Sequence, residues 1–264
     1  MSNHRVSVVT ISFNQATFLE RAIRSVIDQN VDCAEYIVVD PGSTDGSRDI
    51  IERYRARINT VILDKDRGPA DGLNKGFAAS TGDIFAYVNA DDELAPGSLA
   101  FALAFMDGHP EVDVLNGAVR VTDANGRPKA RKICSDLFNL RDYATGICTI
   151  GQQATFIRRS AFEKVGGFNI QNRCFWDGEL LVDLAIAGAR FCTVNKVLGD
   201  YRIYPTSLTG GGLFASEKYR AEHKRVVEKI QAHGIAVDTG LKLKVRRWLY
   251  KLNMRRHLQW LLVQ

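Results

Sequence analysis

The 264-residue chain has few of the features that staple or tether a protein. Its five cysteines, Cys33, Cys134, Cys148, Cys174 and Cys192, are odd in number, widely spaced and without a CxxC pair. That pattern argues against a disulfide framework and against a zinc site, and the thiols are expected to be buried. No window approaches the roughly 20 apolar residues that cross a bilayer, and Val6–Ile11 is too short for a signal-peptide core before Ser12 and Asn14 interrupt it. The protein is therefore expected in the cytoplasm. Neither a P-loop nor a GxGxxG is present, so an ATPase or ordinary dinucleotide reading lacks its phosphate cradle. Acid is missing altogether from Leu241 to Gln264, which holds Lys242, Lys244, Arg246, Arg247, Lys251, Arg255 and Arg256. These seven cations leave −2 of the net +5 to the rest of the chain, so the basic character belongs to the tail.

What is present is a run of short apolar strands alternating with helical patterns. Val6–Ser12 reads as a first, central strand, and Phe18, Ala22, Ile23, Val26 and Ile27 then recur at helical spacing. Tyr36–Asp40 is a second strand, followed by the turn Pro41 to Ser47 and a helix around Arg48–Arg57. Thr60–Leu63 is a third, followed by a charged loop and the helix Ala70–Ala79. Asp83 to Val88 is the fourth. Four βα units in about ninety residues predict a parallel α/β sheet with right-handed crossovers and helices on both faces. Farther on, the patterns predict strands at Val112–Val121, Gln153–Ile157 and Arg190–Val194, and helices at Ser98–Met106, Ser160–Val165 and Trp176–Ala187. Residues 130–150 give no clear reading. Leu198–Ser207 reads as irregular, Gly210 to Gly212 as a hinge, and helices are expected around Ser216–His233 and Leu241–Leu262.

The abrupt change from the apolar Ile84–Val88 to Asn89, Asp91, Asp92 and Glu93 places carboxylates at a strand's C-terminal end, the edge where open α/β sheets bind ligands. Clustered carboxylates repel one another unless a cation or water relieves them, and hard oxygen ligands favour Mg²⁺ or Mn²⁺. A solvated acidic turn before the next helix would use the same residues. Polar groups also stand at the other strand ends: Thr10, Ser12 and Asn14, then Asp40, then Asp64 to Arg67. Asp40 could accept the ring N–H of a nucleotide base, or simply start the turn at Pro41.

Ser7-Val8-Val9-Thr10-Ile11-Ser12-Phe13-Asn14, the block from Tyr36 to Ser47, the block from Asp64 to Gly76 and Asn89-Ala90-Asp91-Asp92 together resemble the ordered signature of family 2 glycosyltransferases with the GT-A fold. The resemblance continues through Gln153 to Phe156, Val165 to Phe168, Trp176 to Leu180 and Tyr201-Arg202. It implies a Rossmann-like, mostly parallel sheet in a catalytic domain over 1–212, with a donor half (1–95), an acceptor half (96–212) and a helical basic extension (213–264). It also implies an inverting, divalent-metal-dependent transfer from a nucleotide-sugar, a UDP-sugar in the first instance, to a glycan or lipid-linked acceptor, as in cell-surface polysaccharide synthesis.

By the same resemblance Thr10, Ser12, Asn14, Asp40, Ser43, Arg67 and Asn74 are donor-binding positions. Asn89 and Asp91 hold the first and third places of the DxD-type motif, Asp91 being the metal ligand. Asp92, Gln153 and Trp176 fall on the acceptor side, and Asp177 matches the general base. Two departures stand out. Asn89 removes a charge from the motif, and Tyr204 occupies a place where relatives often carry a His, which leaves Arg202 as the candidate cation for the leaving diphosphate. By residue type alone, Asp177 would serve as a helix cap, and Trp176 could stack on a sugar face or fill the core.

The tail pattern Leu241, Val245, Trp248, Leu249, Leu252 fits either a basic amphipathic helix on an anionic membrane or a helix packed on the domain. No nucleic-acid module accompanies the charge, so nucleic-acid binding is not expected. Two rivals share the sheet: a sugar-phosphate nucleotidyltransferase, whose usual Gly-rich loop is missing here, and a glycan-binding protein with a degenerate site.

Overall fold

The computed structural model describes residues 4–252. Strands β1 (Val6–Ile11), β2 (Ala34–Val39), β3 (Thr60–Ile62) and β4 (Ile84–Asn89) lie parallel in the order β3-β2-β1-β4. Their side chains alternate between two buried faces, which is why they read as continuous apolar runs. Val6, Val8, Tyr36, Val38, Ile84, Ala86 and Val88 point into one core, and Val9, Ile37, Val39, Phe85 and Tyr87 into the other.

Helices α1 (Ala16–Ile27), α2 (Ser47–Arg53) and α4 (Ser98–Gly108) cover the first face; α3 (Pro69–Ala78), α6 (Arg159–Lys164) and α7 (Trp176–Ile186) cover the second. Helix α1 shows how pattern becomes packing: Leu19, Ala22, Ile23 and Val26 are its buried stripe, and each fully buried Leu, Ile or Val contributes roughly 1.5–3 kcal/mol. The start of α1 is held from a distance, the Asp45 carboxylate accepting the Ala16 N–H at 2.8 Å.

Beyond β4 the sheet becomes mixed. Strand β8 (Thr155–Arg158) runs antiparallel between β4 and β6 (Val114–Thr122); β9 (Phe191–Arg202) lies parallel to β6, and the two-residue β5 (Glu93–Leu94) pairs with β9 at the edge. Strand β7 (Pro128–Ile133) hangs from β6. The expected mostly parallel sheet with helices on both faces is present. The irregular reading of Leu198–Ser207 is corrected: its first five residues continue β9, which passes a register shift near Ala118. Gly199 permits this course, because a Cβ there would collide with the Gln153 backbone.

Segment 130–150 supplies β7 and the short helix α5 (Leu140–Ala144), started by Asn139, whose side chain accepts the Asp142 N–H. Helices α8 (Glu217–Ala232) and α9 (Gly240–Lys251) follow; the part of the expected tail helix beyond 252 lies outside the described residues. Helix α8 packs Val226 and Ile230 against Ala144 and Val182. None of the five cysteines is joined in a disulfide, and only Cys148 is buried, so the expectation of buried thiols holds for that one.

Candidate active site

The C-terminal ends of β1, β2 and β4 form one rim. The chain leaves β1 with the Ser12 N–H on Val39 O, and leaves β4 with the Ala90 N–H on Ile11 O. At this rim two buried atoms have no hydrogen-bond partner, Ser12 Oγ and Asn89 Oδ1. They stand close in the sheet because Ile11 pairs with Asn89. Buried polar atoms are nearly always satisfied, so each of these two oxygens is open to a water or to a ligand.

Asp91 is half-buried, and its Oδ2 accepts the Tyr204 hydroxyl at 3.1 Å. Burial raises its pKa, against the Tyr204 bond and the Arg202 charge. Asp92 is buried, its Oδ2 accepting Gln153 Nε2 at 2.9 Å and Asn89 Nδ2 at 3.2 Å and its Oδ1 the Arg202 N–H at 3.0 Å. Desolvation, then the charge of Asp91, raises its pKa as well. The Tyr204 ring rests on Phe18, with centroids 4.7 Å apart, and its hydroxyl is pushed up to about 12 by burial and then by Asp91.

Asp177 lies in the first turn of α7. Its Oδ1 accepts the Gly178 N–H at 2.8 Å, and burial raises its pKa. Its charge reaches phenols on separate elements: the pKa values of Tyr87, Tyr143, Tyr201 and Tyr219 are all raised by burial and further by Asp177. Tyr201 also feels Asp92 and Asp91, so one phenol lies within electrostatic reach of all three carboxylates. No spacing pattern announces these tyrosines.

Several of the expected site residues have side chains engaged within the chain. The Arg202 side chain is 1% exposed: its Nε donates to Asp91 O at 2.8 Å, Nη1 to Asp123 O and Ala124 O, and Nη2 pairs with Glu93. Through these bonds it holds the acidic loop that follows β4. Asn74 grips the backbone of Phe168, donating to its carbonyl at 2.8 Å and accepting its N–H at 2.9 Å. Trp176 is buried against Tyr87 and Phe168, so of its two readings core packing is the one observed.

Thr10 is buried and accepts the Tyr36 hydroxyl at 2.9 Å. Asp40 is fully buried, taken by the Gly42 and Ser43 N–H groups, the Ser43 hydroxyl at 2.6 Å and Arg48 Nε at 3.2 Å. Its turn-forming role is therefore filled, and a base would meet the carboxylate only if Ser43 or Arg48 turned away. Ser43 Oγ in turn accepts the Asn14 N–H at 2.8 Å, and Asn14 Oδ1 accepts the Thr44 N–H, which ties the first two strand-end loops together. Arg67 is exposed and pairs with Asp71 at 3.2 Å. Sequence reasoning passed over Arg173, an exposed side chain whose guanidinium lies beside Gly68 and Asp66 at the third loop.

The sequence profile described as Glycosyl transferase family 2 matches residues 7–166, more than half of the chain and all four parallel strands. The chain belongs to glycosyl transferase family 2. Relatives of this glycosyltransferase include an uncharacterized glycosyltransferase of Nostoc sp. (strain PCC 7120), 26% identical over 93% of this chain and 82% of the relative. Another, in Bacillus subtilis (strain 168), is named for a glycosyltransferase role in teichuronic acid biosynthesis. It is 29% identical over 81% of this chain and 84% of the relative.

Among solved structures, S. aureus TarS 1-349 in complex with UDP-GlcNAc superposes with a TM-score of 0.69 at 18% identity, over 97% of this chain and 78% of that one. The mannosyltransferase PcManGT of Pyrobaculum calidifontis, in complex with GDP-Man and Mn²⁺, gives 0.65 at 20% identity, over 89% and 66%. The shared fold is GT-A.

Among the described residues of this family 2 member, no three His, Cys, Asp or Glu side chains converge into a self-sufficient metal cage. The donors present at the motif, the Asp91 carboxylate and the orphaned Asn89 Oδ1, are hard oxygens. They fit Mg²⁺ or Mn²⁺ where a substrate diphosphate and water complete the shell.

Proposed function

We propose that this glycosyltransferase moves a sugar, with inversion, from a nucleoside-diphosphate sugar to a hydroxyl of a glycan or lipid-linked acceptor. The donor is a UDP-sugar and the setting is cell-surface polysaccharide synthesis at the cytoplasmic face of a membrane. The observation that supports the reading most is that Asp91 and Asp92, after β4, and Asp177, at the start of α7, all act electrostatically on the Tyr201 phenol, Asp91 as candidate metal ligand and Asp177 as candidate base. The UDP-GlcNAc and the GDP-Man with Mn²⁺ bound to the two structural neighbours support a nucleotide-sugar donor, and the biosynthetic name of the Bacillus relative supports a cell-surface product.

In this reading 1–95 receives the nucleotide and 96–212 the acceptor. The Ser12 hydroxyl would meet the donor, and Asp91, with Asn89 Oδ1, would hold the divalent cation. That cation, when bound, neutralises charge developing on the leaving diphosphate. Asp177 takes the proton of the acceptor hydroxyl as it attacks from the face opposite the leaving group, which inverts the anomeric centre. Burial makes Asp177 a stronger proton acceptor than a solvated carboxylate. Arg202 fixes the acidic loop, and capture of both substrates in one geometry supplies much of the remaining rate.

A thermal-shift panel of nucleoside diphosphates with Mn²⁺ tests the donor half. One diphosphate is expected to raise the melting temperature by roughly 5–10 °C at a hundredfold excess over its Kd. Asp91→Ala should lose the metal-dependent part of that shift. No response from any diphosphate, or an undiminished metal-dependent response in Asp91→Ala, contradicts the proposal.

A further inference from the structure

Helix α9 is attached to the domain by its polar side. Arg246 Nε pairs with Asp142 and its Nη1 with Asp238 at 3.0 Å; Arg247 Nη2 donates to Thr145 O at 2.8 Å, and the Tyr250 hydroxyl bonds to Asp136. Leu243, Arg246 and Tyr250, spaced three and four apart, are the half-buried stripe. The large apolar residues face the other way: Leu241, Val245, Trp248, Leu249 and Leu252 are between 48% and 76% exposed. At about 100° per residue these five fall within one sector roughly 100° wide, and the exposed Lys242 and Lys244 stand on its two flanks. A surface helix of a globular protein normally turns such a stripe inward. Here the ion pairs with Asp142 and Asp238 hold it outward.

We infer that this outward face of α9 is a docking surface for an anionic lipid bilayer. The apolar sector, with Trp248 among aliphatic side chains, matches what enters the headgroup boundary, and Lys242 and Lys244 match the negative potential of anionic headgroups. No acid lies anywhere from Leu241 onward to oppose that attraction. The contacts also join this face to the chemistry. Asp142 of α5 holds Arg246, while its neighbour Tyr143 lies within reach of the Asp177 charge, so a membrane-bound α9 would stand one short helix from the candidate base. The functional sense of the surface rests on the lipid-linked acceptor proposed above, but lipid binding is measured without turnover, so either reading can fail alone.

The test is flotation of the purified full chain with phosphatidylcholine vesicles, with and without phosphatidylglycerol, alongside its mass in solution. Wild type is expected to be monomeric and to float with the anionic vesicles only. Trp248→Ser with Leu249→Ser should abolish flotation with an unchanged melting temperature. Lys242→Gln with Lys244→Gln should weaken binding roughly thirtyfold. The inference is overturned if wild type ignores anionic vesicles or the Trp248/Leu249 variant floats like wild type. It is overturned equally if that variant melts much earlier, since the face would then be covered within the chain, or if it converts a wild-type dimer to a monomer, since the occupant would then be a second copy.

Discussion

At the scale of single residues, the site is built by residues that spend their polar groups inward as much as by those that face substrate. Arg202 buries a guanidinium on Glu93 and on three backbone carbonyls. Replacing it with Gln strands those acceptors, with Arg21 at 2.9 Å left as the partner of Glu93, and should cost about 3 kcal/mol in urea unfolding. A loss of turnover without that loss of stability would instead return Arg202 to the donor site. The Tyr204 hydroxyl competes with any cation for Asp91 Oδ2. Tyr204→Phe keeps the ring on Phe18 and should lower the Mn²⁺ concentration needed for half-maximal nucleotide binding, by calorimetry; an unchanged or higher requirement contradicts this competition.

Asp177 carries a pKa raised by burial, so its ionised form is disfavoured by folding. The stability linked to that shift is present below the pKa of the unfolded carboxyl and is lost as pH rises through the folded value. Asp177→Asn should therefore match or exceed wild type in melting temperature at neutral pH. The wild-type rate should rise with pH through a midpoint above that of an ordinary carboxylate.

At the scale of elements, the contact between α7 and α8 centres on one buried carboxylate. Glu179, 1% exposed, accepts from Arg225 and Lys229, both at 2.7 Å, and from Asn169 and Asn172. Burial opposes its ionisation, but Lys229 and the two amides outweigh it and the pKa falls below 4.5. Stability from this group is present above that ordinary value and lost as pH falls through the lowered one. Glu179→Gln should cost roughly 2–3 kcal/mol at pH 7, with the gap to wild type closing in acid below about 4.5. Asp183 shifts the other way because burial prevails over Lys229, so only the difference between the two proteins isolates Glu179. A gap independent of pH would remove the ionised cluster from the account.

Elements differed in how far the sequence disclosed them. Strands β1 to β4 were legible because both faces are apolar and each ends in a turn signal. Strand β5 is too short to form a pattern, β7 is carried by the basic run Lys129 to Lys132, and Asn195 and Lys196 are exposed in the middle of β9, which hid its continuity. Side-chain commitments were illegible for a different reason. Residue type says that Asn74 or Asp40 can bond a nucleotide, but not that Phe168 or Ser43 has already claimed it.

At the scale of the whole molecule, two apolar cores flank one sheet, and the loops at its C-terminal edge bring groups from Ser12 to Tyr204 to one place. The ordered blocks of the sequence sufficed for family and fold, because a parallel sheet forces remote strand ends together. They could not disclose the orientation of α9, which depends on the Arg246–Asp142 ion pair and on hydrogen bonds from Arg247 and Tyr250 to residues remote in sequence rather than on periodicity.

The most direct test is release of nucleoside diphosphate from a nucleotide-sugar in the presence of acceptor, by wild type and by Asp177→Asn, with nucleotide affinity measured on the same samples. The account predicts that the variant keeps its affinity and its fold while turnover falls by two to four orders of magnitude. Full turnover in Asp177→Asn, or pyrophosphate in place of the nucleoside diphosphate from wild type, would contradict it.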